Sequence, residues 1–400
     1  MVHFKRAHKT KAATLLSVLL LGFMCNMLFI QTAVHRDKQP ISTFVAETEL
    51  PVININGSQQ MEGTEHESHF ARAKHTRRDI SINDFDEPLG FPVLSPSDNN
   101  KTTFNLRNGN AVSFNTIVQP LVPSVCINQT LVVMIYSTPE ENALRKAIRS
   151  TWANSDELKK HSAGVFFIIS NAGRLKSDQW TAIKNESLVF GDILLTDLPE
   201  NYRNLYKKWL VGSAWTYRNC VHINQRSTTN FVKADSNILV SLKVAEELFQ
   251  QRRNEPAAVF GNCFNAGNIV YRTGKWGVSE HDYPLNRYPR YCGGPAYMYT
   301  EKALLRLLAA AAHSYVTQVE DVWVTGVLAE NAQLKRIHVA QDARFVRPTP
   351  CIVRSQLMYE VAERNANVPA TVDGMWRTWR AYNAAWTKPC KPHGHALKQA

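Results

Sequence analysis

Three short segments hold the side chains best suited to chemistry, and each admits two readings. In KADSN, residues 233–237, Asp235 and Asn237 follow an apolar run. A divalent ion bridging a diphosphate needs hard oxygen ligands, normally carboxylates, and Asn237 supplies only a neutral carbonyl oxygen. Asp, Ser and Asn are equally the preferred residues of a helix N-cap. In VEDVWV, residues 319–324, Glu320 and Asp321 stand at an expected helix start. A carboxylate there suits the helix dipole, or serves as a general base that takes a proton from a hydroxyl. In RKAIRSTW, residues 145–152, Arg145 and Arg149 share one helix face. Such a pair meets the phosphates of a nucleotide, or is simply solvated. His338 in KRIHVAQDARF is a candidate metal ligand, although a lone histidine is more often structural. In YPRYCGGPAYMYT, residues 288–300, Gly293 and Gly294 permit close backbone approach and the tyrosines offer faces for stacking. A disulfide-anchored loop has the same composition.

The elements that position these residues alternate. LVVMIYS (131–137), GVFFIIS (164–170), DILLTDL (192–198) and FVKA (231–234) are short apolar runs with strand character. Between and after them lie segments with helical spacing, beginning with EENALRKAIRSTW and ending with NILVSLKVAEELF. This order predicts an α/β fold with a mostly parallel sheet and helices on both faces. Ligands of such sheets bind beyond the carboxyl ends of the strands, which places residues 235–237 at the functional edge. Beyond Pro256 the pattern is less regular, with helices expected at EKALLRLLAAAAH and VEDVWVTGVLAE. MWRTWRAYNAAW, near the C-terminus, reads as a surface helix.

The N-terminus sets the compartment. Lys5, Arg6, Lys9 and Lys11 precede residues 12–30, which carry no charge. That run nearly spans a hydrocarbon core of roughly 30 Å and is oriented with its basic flank in the cytoplasm. Residues 1–11 are expected to be a cytoplasmic tail, 12–30 a signal-anchor helix, 31–122 a low-order lumenal stem, 123–350 the folded domain and 351–400 a C-terminal extension. Apart from Cys25, six cysteines remain, enough for two or three disulfides in an oxidising lumen, with pairing open. The 44% hydrophobic content supports a sizeable core, and the net charge of +12 raises the question of nucleic acid. The basic residues are scattered and carry no nucleic-acid-binding motif, which argues against that partner.

In order and spacing these pieces resemble the β-1,3-galactosyltransferase and β-1,3-N-acetylglucosaminyltransferase family (glycosyltransferase family 31). RKAIRSTW resembles R-x-x-I-R-x-T-W, and FGDILLTDLPENYRNLYKKW matches a second block through Asp192, Asp197, Tyr202, Asn204, Leu205 and Lys208. KWGVSEHDYPLNRYPRYCGGPAYMYT and EDVWVTG resemble two more. The resemblance covers residues 126–345. It implies a GT-A fold in a type II Golgi membrane protein, anchored in that membrane by its N-terminal helix, that moves galactose or an N-acetylhexosamine from a UDP-sugar. The acceptor is a glycan on glycoprotein or glycolipid, the linkage β-1,3, and the anomeric centre inverts. Asp321 would be the base and Glu320 its support. Arg145, Arg149, Lys233 and Asp235 would serve the donor, and Asp235, Asn237 and His338 would hold Mn2+. The departure lies at 235–237, where the family reads D-D-D and this chain Asp235, Ser236, Asn237. Gln341 also stands near the family's metal-binding histidine. These changes carry the alternative of a non-catalytic relative acting as a lumenal binding partner.

Overall fold

The computed structural model describes residues 101–107, 111–221, 228–344, 346–362 and 366–390. The expected tail, the anchor and residues 31–100 of the stem lie outside the described residues. Among the described residues no helix is long and apolar enough to cross a membrane.

A nine-stranded sheet is the scaffold. Its strands are β1 (Lys101–Asn105), β2 (Ala111–Val118), β3 (Leu131–Ser137), β4 (Ala163–Ile169), β5 (Ile193–Thr196), β6 (Asn230–Asp235), β8 (Ala258–Phe264), β9 (Tyr291–Tyr299) and β10 (Lys335–His338). The spatial order is β1-β2-β5-β4-β3-β6-β9-β8-β10. The block β5-β4-β3-β6 is parallel, as is the pair β8 and β10, whereas β2 and β9 run antiparallel to their neighbours. β7 (Ile238–Val240) pairs separately with β11 (Met358–Glu360). The expected mostly parallel α/β sheet is therefore present, with antiparallel strands inserted.

Among the described residues the longer helices that flank it are α1 (Asn142–Ser150), α2 (Ser177–Phe190), α3 (Leu205–Thr216), α4 (Leu242–Gln251), α5 (Glu301–Ala311) and α6 (Val368–Trp386). β3 shows why both faces need cover, since all seven of its residues are buried. Met134 and Tyr136 join a core with Trp209 of α3, Leu304 of α5 and Trp323. Val133 and Ile135 face the opposite core, with Ile148 of α1, Ala245 of α4 and Met375 of α6. Three disulfides close the fold: Cys126–Cys220, Cys263–Cys292 and Cys351–Cys390.

Two boundaries differ from the sequence reading. Lys101–Asn105 and Ala111–Val118, placed in the stem, form β1 and β2. Val112 and Phe114 bury alternately against the core while Ala111 and Ser113 face solvent. The C-terminal extension is part of the domain, and its helix is more than a surface element. Met375 is fully buried, and the Tyr382 and Ser241 hydroxyls share a hydrogen bond of 2.7 Å. Gly374 permits this docking, because a Cβ there would lie 1.9 Å from the Val361 carbonyl oxygen. Gly374→Ala is therefore expected to overpack the junction at a cost of about 1–3 kcal/mol, lowering Tm by several degrees in a thermal melt. An unchanged Tm would show that α6 is not docked as described.

Candidate active site

Register brings the site together. In the sheet Tyr136 of β3 lies opposite Asp235 of β6, and Lys233 of β6 opposite Tyr297 of β9. Lys233 is 1% exposed, yet its ammonium is fully engaged. It donates to Asp235 Oδ1 and to the Gly294 carbonyl, both at 2.7 Å, and lies 3.6 Å from Glu320 Oε2. The Tyr136 ring centroid is 4.3 Å from Nζ. Burial pushes the lysine pKa down, but Asp235 and Glu320 outweigh it and hold the group above its usual value, so it stays charged.

Glu320 and Asp321 precede a π-helical segment, Val322–Leu328. Such turns are rare and concentrate at functional sites. Glu320 is buried, and its Oε1 accepts from the hydroxyls of Tyr297 and, at 3.3 Å, Tyr136. Burial pushes its pKa up to about 7, and Asp321 adds to the rise against the pull of Lys233. Asp321 is only half-buried and faces a cleft of about 820 Å³. Its Oδ2 accepts from the Gly294 N–H at 2.8 Å and its Oδ1 from the Val322 N–H at 2.9 Å. Burial raises its pKa too. Gly294 gives the carboxylate room, since a Cβ there would sit 3.2 Å from Oδ2. Adjacent carboxyls thus differ in kind. Glu320 is internal and proton-hungry, whereas Asp321 is held by amides and open to the cleft, as a base requires. Asp321 also caps the helix through the Val322 N–H, as the helix-start reading of VEDVWV expected.

Residues 235–237 are not a helix cap. Asp235 ends β6, Ser236 and Asn237 form the turn to β7, and Ser241 caps α4 by accepting from Val244 N–H. The Ser236 hydroxyl donates to Glu141 Oε1 at 2.9 Å, and Asn237 Nδ2 to Glu360 Oε1 at 3.3 Å. All three residues line the cleft. As a manganese site the donor set does not fit. Asp235 is its one carboxylate, and Oδ1 is already paired with Lys233. Among the described residues no three His, Cys, Asp or Glu side chains converge on a metal position. His338 lies elsewhere, on β10, where its Nδ1 accepts from the Cys263 N–H at 3.1 Å. Gln341 is bound to Gln356 through both backbone groups.

Arg145 and Arg149 do not reach the cleft either. Arg145 is fully buried, with Nε and Nη2 on the two Glu186 oxygens at 2.9 and 2.7 Å. Arg149 bridges Glu186 and Asp192. The pair therefore fastens α1 to α2 and to the start of β5, away from the cleft lining. The carboxylates that occupy them were 37 to 43 residues distant in sequence and carried no signal. Other cleft residues escaped notice. Lys208 is held by Glu200 at 2.7 Å and by the Ser137 carbonyl. Glu141, Glu360 and Arg344 also line the cleft. Lys208 stood in a quoted block; Glu360, brought in by the β7–β11 pairing, had no local mark.

Comparison with known proteins agrees. A family model described as Galactosyltransferase matches residues 143–340. Beta-1,3-galactosyltransferase 5 of Mus musculus is 26% identical over 202 residues, covering 50% of this chain and 63% of the relative. Beta-1,3-galactosyltransferase 1 of Mus musculus is 27% identical over 241 residues, covering 58% and 71%. The chain thus spans less than two thirds of the first relative.

Two outcomes are expected. Glu320 binds its proton more tightly folded (about 7) than its ordinary value of 4.5. Its contribution to stability is full below about 4.5 and lost as pH rises through about 7. Relative to Glu320→Gln, the wild type should lose up to about 3 kcal/mol across that window; parallel Tm-against-pH curves would refute this. Glu186→Ala strands Arg145 and should cost about 3–5 kcal/mol in denaturant unfolding, whereas Arg145→Met with Glu186→Leu should cost much less.

Proposed function

Since this chain belongs to the galactosyltransferase family, we propose that it transfers galactose or an N-acetylhexosamine from a UDP-sugar to a glycan hydroxyl, in β-1,3 linkage and with inversion. The observation that carries this reading is Asp321, held at the cleft by two backbone N–H groups beside the carboxyl ends of β3 and β6. The acceptor hydroxyl gives its proton to the Asp321 carboxylate as its oxygen bonds to the anomeric carbon. The bond from that carbon to the diphosphate oxygen breaks on the opposite face, and UDP leaves with the electron pair. Backbone amides on Asp321 fix the carboxylate's direction, and Glu320 holds Lys233 and the two tyrosines beneath it. Lys208, Lys233, Lys275 and Arg344 line the cleft among its carboxylates and are the cations within it that can face the departing diphosphate.

A Golgi location, with residues 12–30 as a type II anchor in a GT-A enzyme, belongs to the same proposal. Three disulfides support an oxidising lumen, and the uncharged run behind a basic flank supports the anchor. A second reading, a non-catalytic relative that binds in the lumen, is favoured by the single carboxylate at 235–237.

Asp321→Asn separates the two. Loss of a general base should lower transfer about 10²–10⁴-fold with UDP affinity by calorimetry unchanged. Transfer retained in the variant removes Asp321 as base. No UDP binding by the wild type at about 1 mM nucleotide, with weak affinity scaled as usual, would leave the non-catalytic reading.

A further inference from the structure

The mouth of the cleft carries exposed aromatic rings on a chain segment that is firmly held. Tyr202, Tyr271 and Trp276 are 39%, 62% and 41% exposed, and all three line the cleft with Asp321. Trp276 Nε1 donates to the Tyr202 hydroxyl at 3.0 Å, and the Tyr271 and Trp276 centroids are 6.4 Å apart. Lys275 Nζ lies 4.7 Å from the Tyr202 ring.

The loop between β8 and β9 that carries Tyr271 and Trp276 is stapled by arginines. Arg272 donates to the carbonyls of Val278, Tyr283 and Leu285 at 2.9 to 3.2 Å. Arg287 donates to the Gly267 carbonyl at 2.6 Å, and Arg203 to that of Gly274 at 3.2 Å. The rings are thus presented in a fixed arrangement, although leaving them in water is unfavourable. A pinned, solvent-facing aromatic group continuous with a polar catalytic cleft is the composition of a ligand subsite. The Asp321 charge is felt at Tyr202, whose pKa goes up to about 12 mainly through burial and next through that carboxylate. The platform and the base are therefore neighbours.

We infer that Tyr202, Tyr271 and Trp276 form an acceptor subsite that takes the pyranose ring of a glycan. One face of a β-hexopyranose is a patch of C–H groups, and its rim is hydroxyl. The aromatic faces meet the C–H patch, while the Lys275 ammonium and the Tyr202 hydroxyl bond the rim. A ring seated there directs a hydroxyl toward Asp321. The subsite rests on the transferase reading for its role, but its binding is separately measurable.

The test uses the full chain in detergent with UDP present and methyl β-glycosides of galactose, N-acetylglucosamine and N-acetylgalactosamine. Saturation-transfer NMR should mark ring C–H protons of at least one glycoside, and Trp276→Ala should abolish the effect. In transfer assays Trp276→Ala should raise acceptor KM about tenfold, with UDP affinity unchanged and Trp276→Phe restoring most of the loss. No saturation transfer in the wild type overturns the subsite, as does its survival in a folded Trp276→Ala chain. Loss of UDP affinity in that variant would assign the platform to the donor base, and likewise overturns it. Saturation transfer without sugar transfer supports the subsite and removes the catalytic reading instead.

Discussion

The site depends on one buried cation. Lys233 has no solvent to stabilise it, so its ammonium must be satisfied by protein, and its partners come from three directions. Asp235 lies on its own strand, Gly294 on the adjacent antiparallel strand, and Glu320 at the head of the π-helical segment. Once the lysine is fixed, the carbonyl side of Gly294 is fixed, and with it the N–H that holds Asp321. The placement of Asp321 is therefore inherited from a buried charge on a neighbouring strand.

This arrangement also explains the unequal carboxyls. Glu320 has a buried cation nearby, two tyrosine hydroxyls and little water, so desolvation governs it. Asp321 sits one residue further, past the start of a helical turn, where free backbone amides are available. A difference of one position along the chain separates a carboxyl enclosed by the core from one that lines the cleft.

Much of the scaffold was legible, for a physical reason. Strands buried on both faces read as continuous apolar runs, and β3 and β4 are such runs. β1 and β2 were not legible, because short alternating strands rich in Asn, Ser and Thr resemble a spacer. Asp321 stood in a segment whose local chemistry is distinctive, whereas Lys233 was named only through the family resemblance. Arg145 and Arg149 were misread because i, i+4 spacing shows a shared face but cannot show what that face meets. The tyrosines of residues 288–300 divide, with Tyr288 and Tyr291 lining the cleft. Tyr297 and Tyr299 alternate with β9 into the core, while the exposed rings lie at 202, 271 and 276. Asn237 was noticed for what it lacks; its bond to Glu360 could be seen only once β7 and β11 were paired.

The Cys263–Cys292 bridge ties the last turn of β8 to the first of β9, and the segment between them holds Tyr271 and Trp276. That segment is in effect a covalent ring hung from the rim of the sheet. The bridge joins directly paired residues of β8 and β9, so both ends of that segment are held at one point of the sheet. The same closure makes that surface depend on the oxidation state of its surroundings.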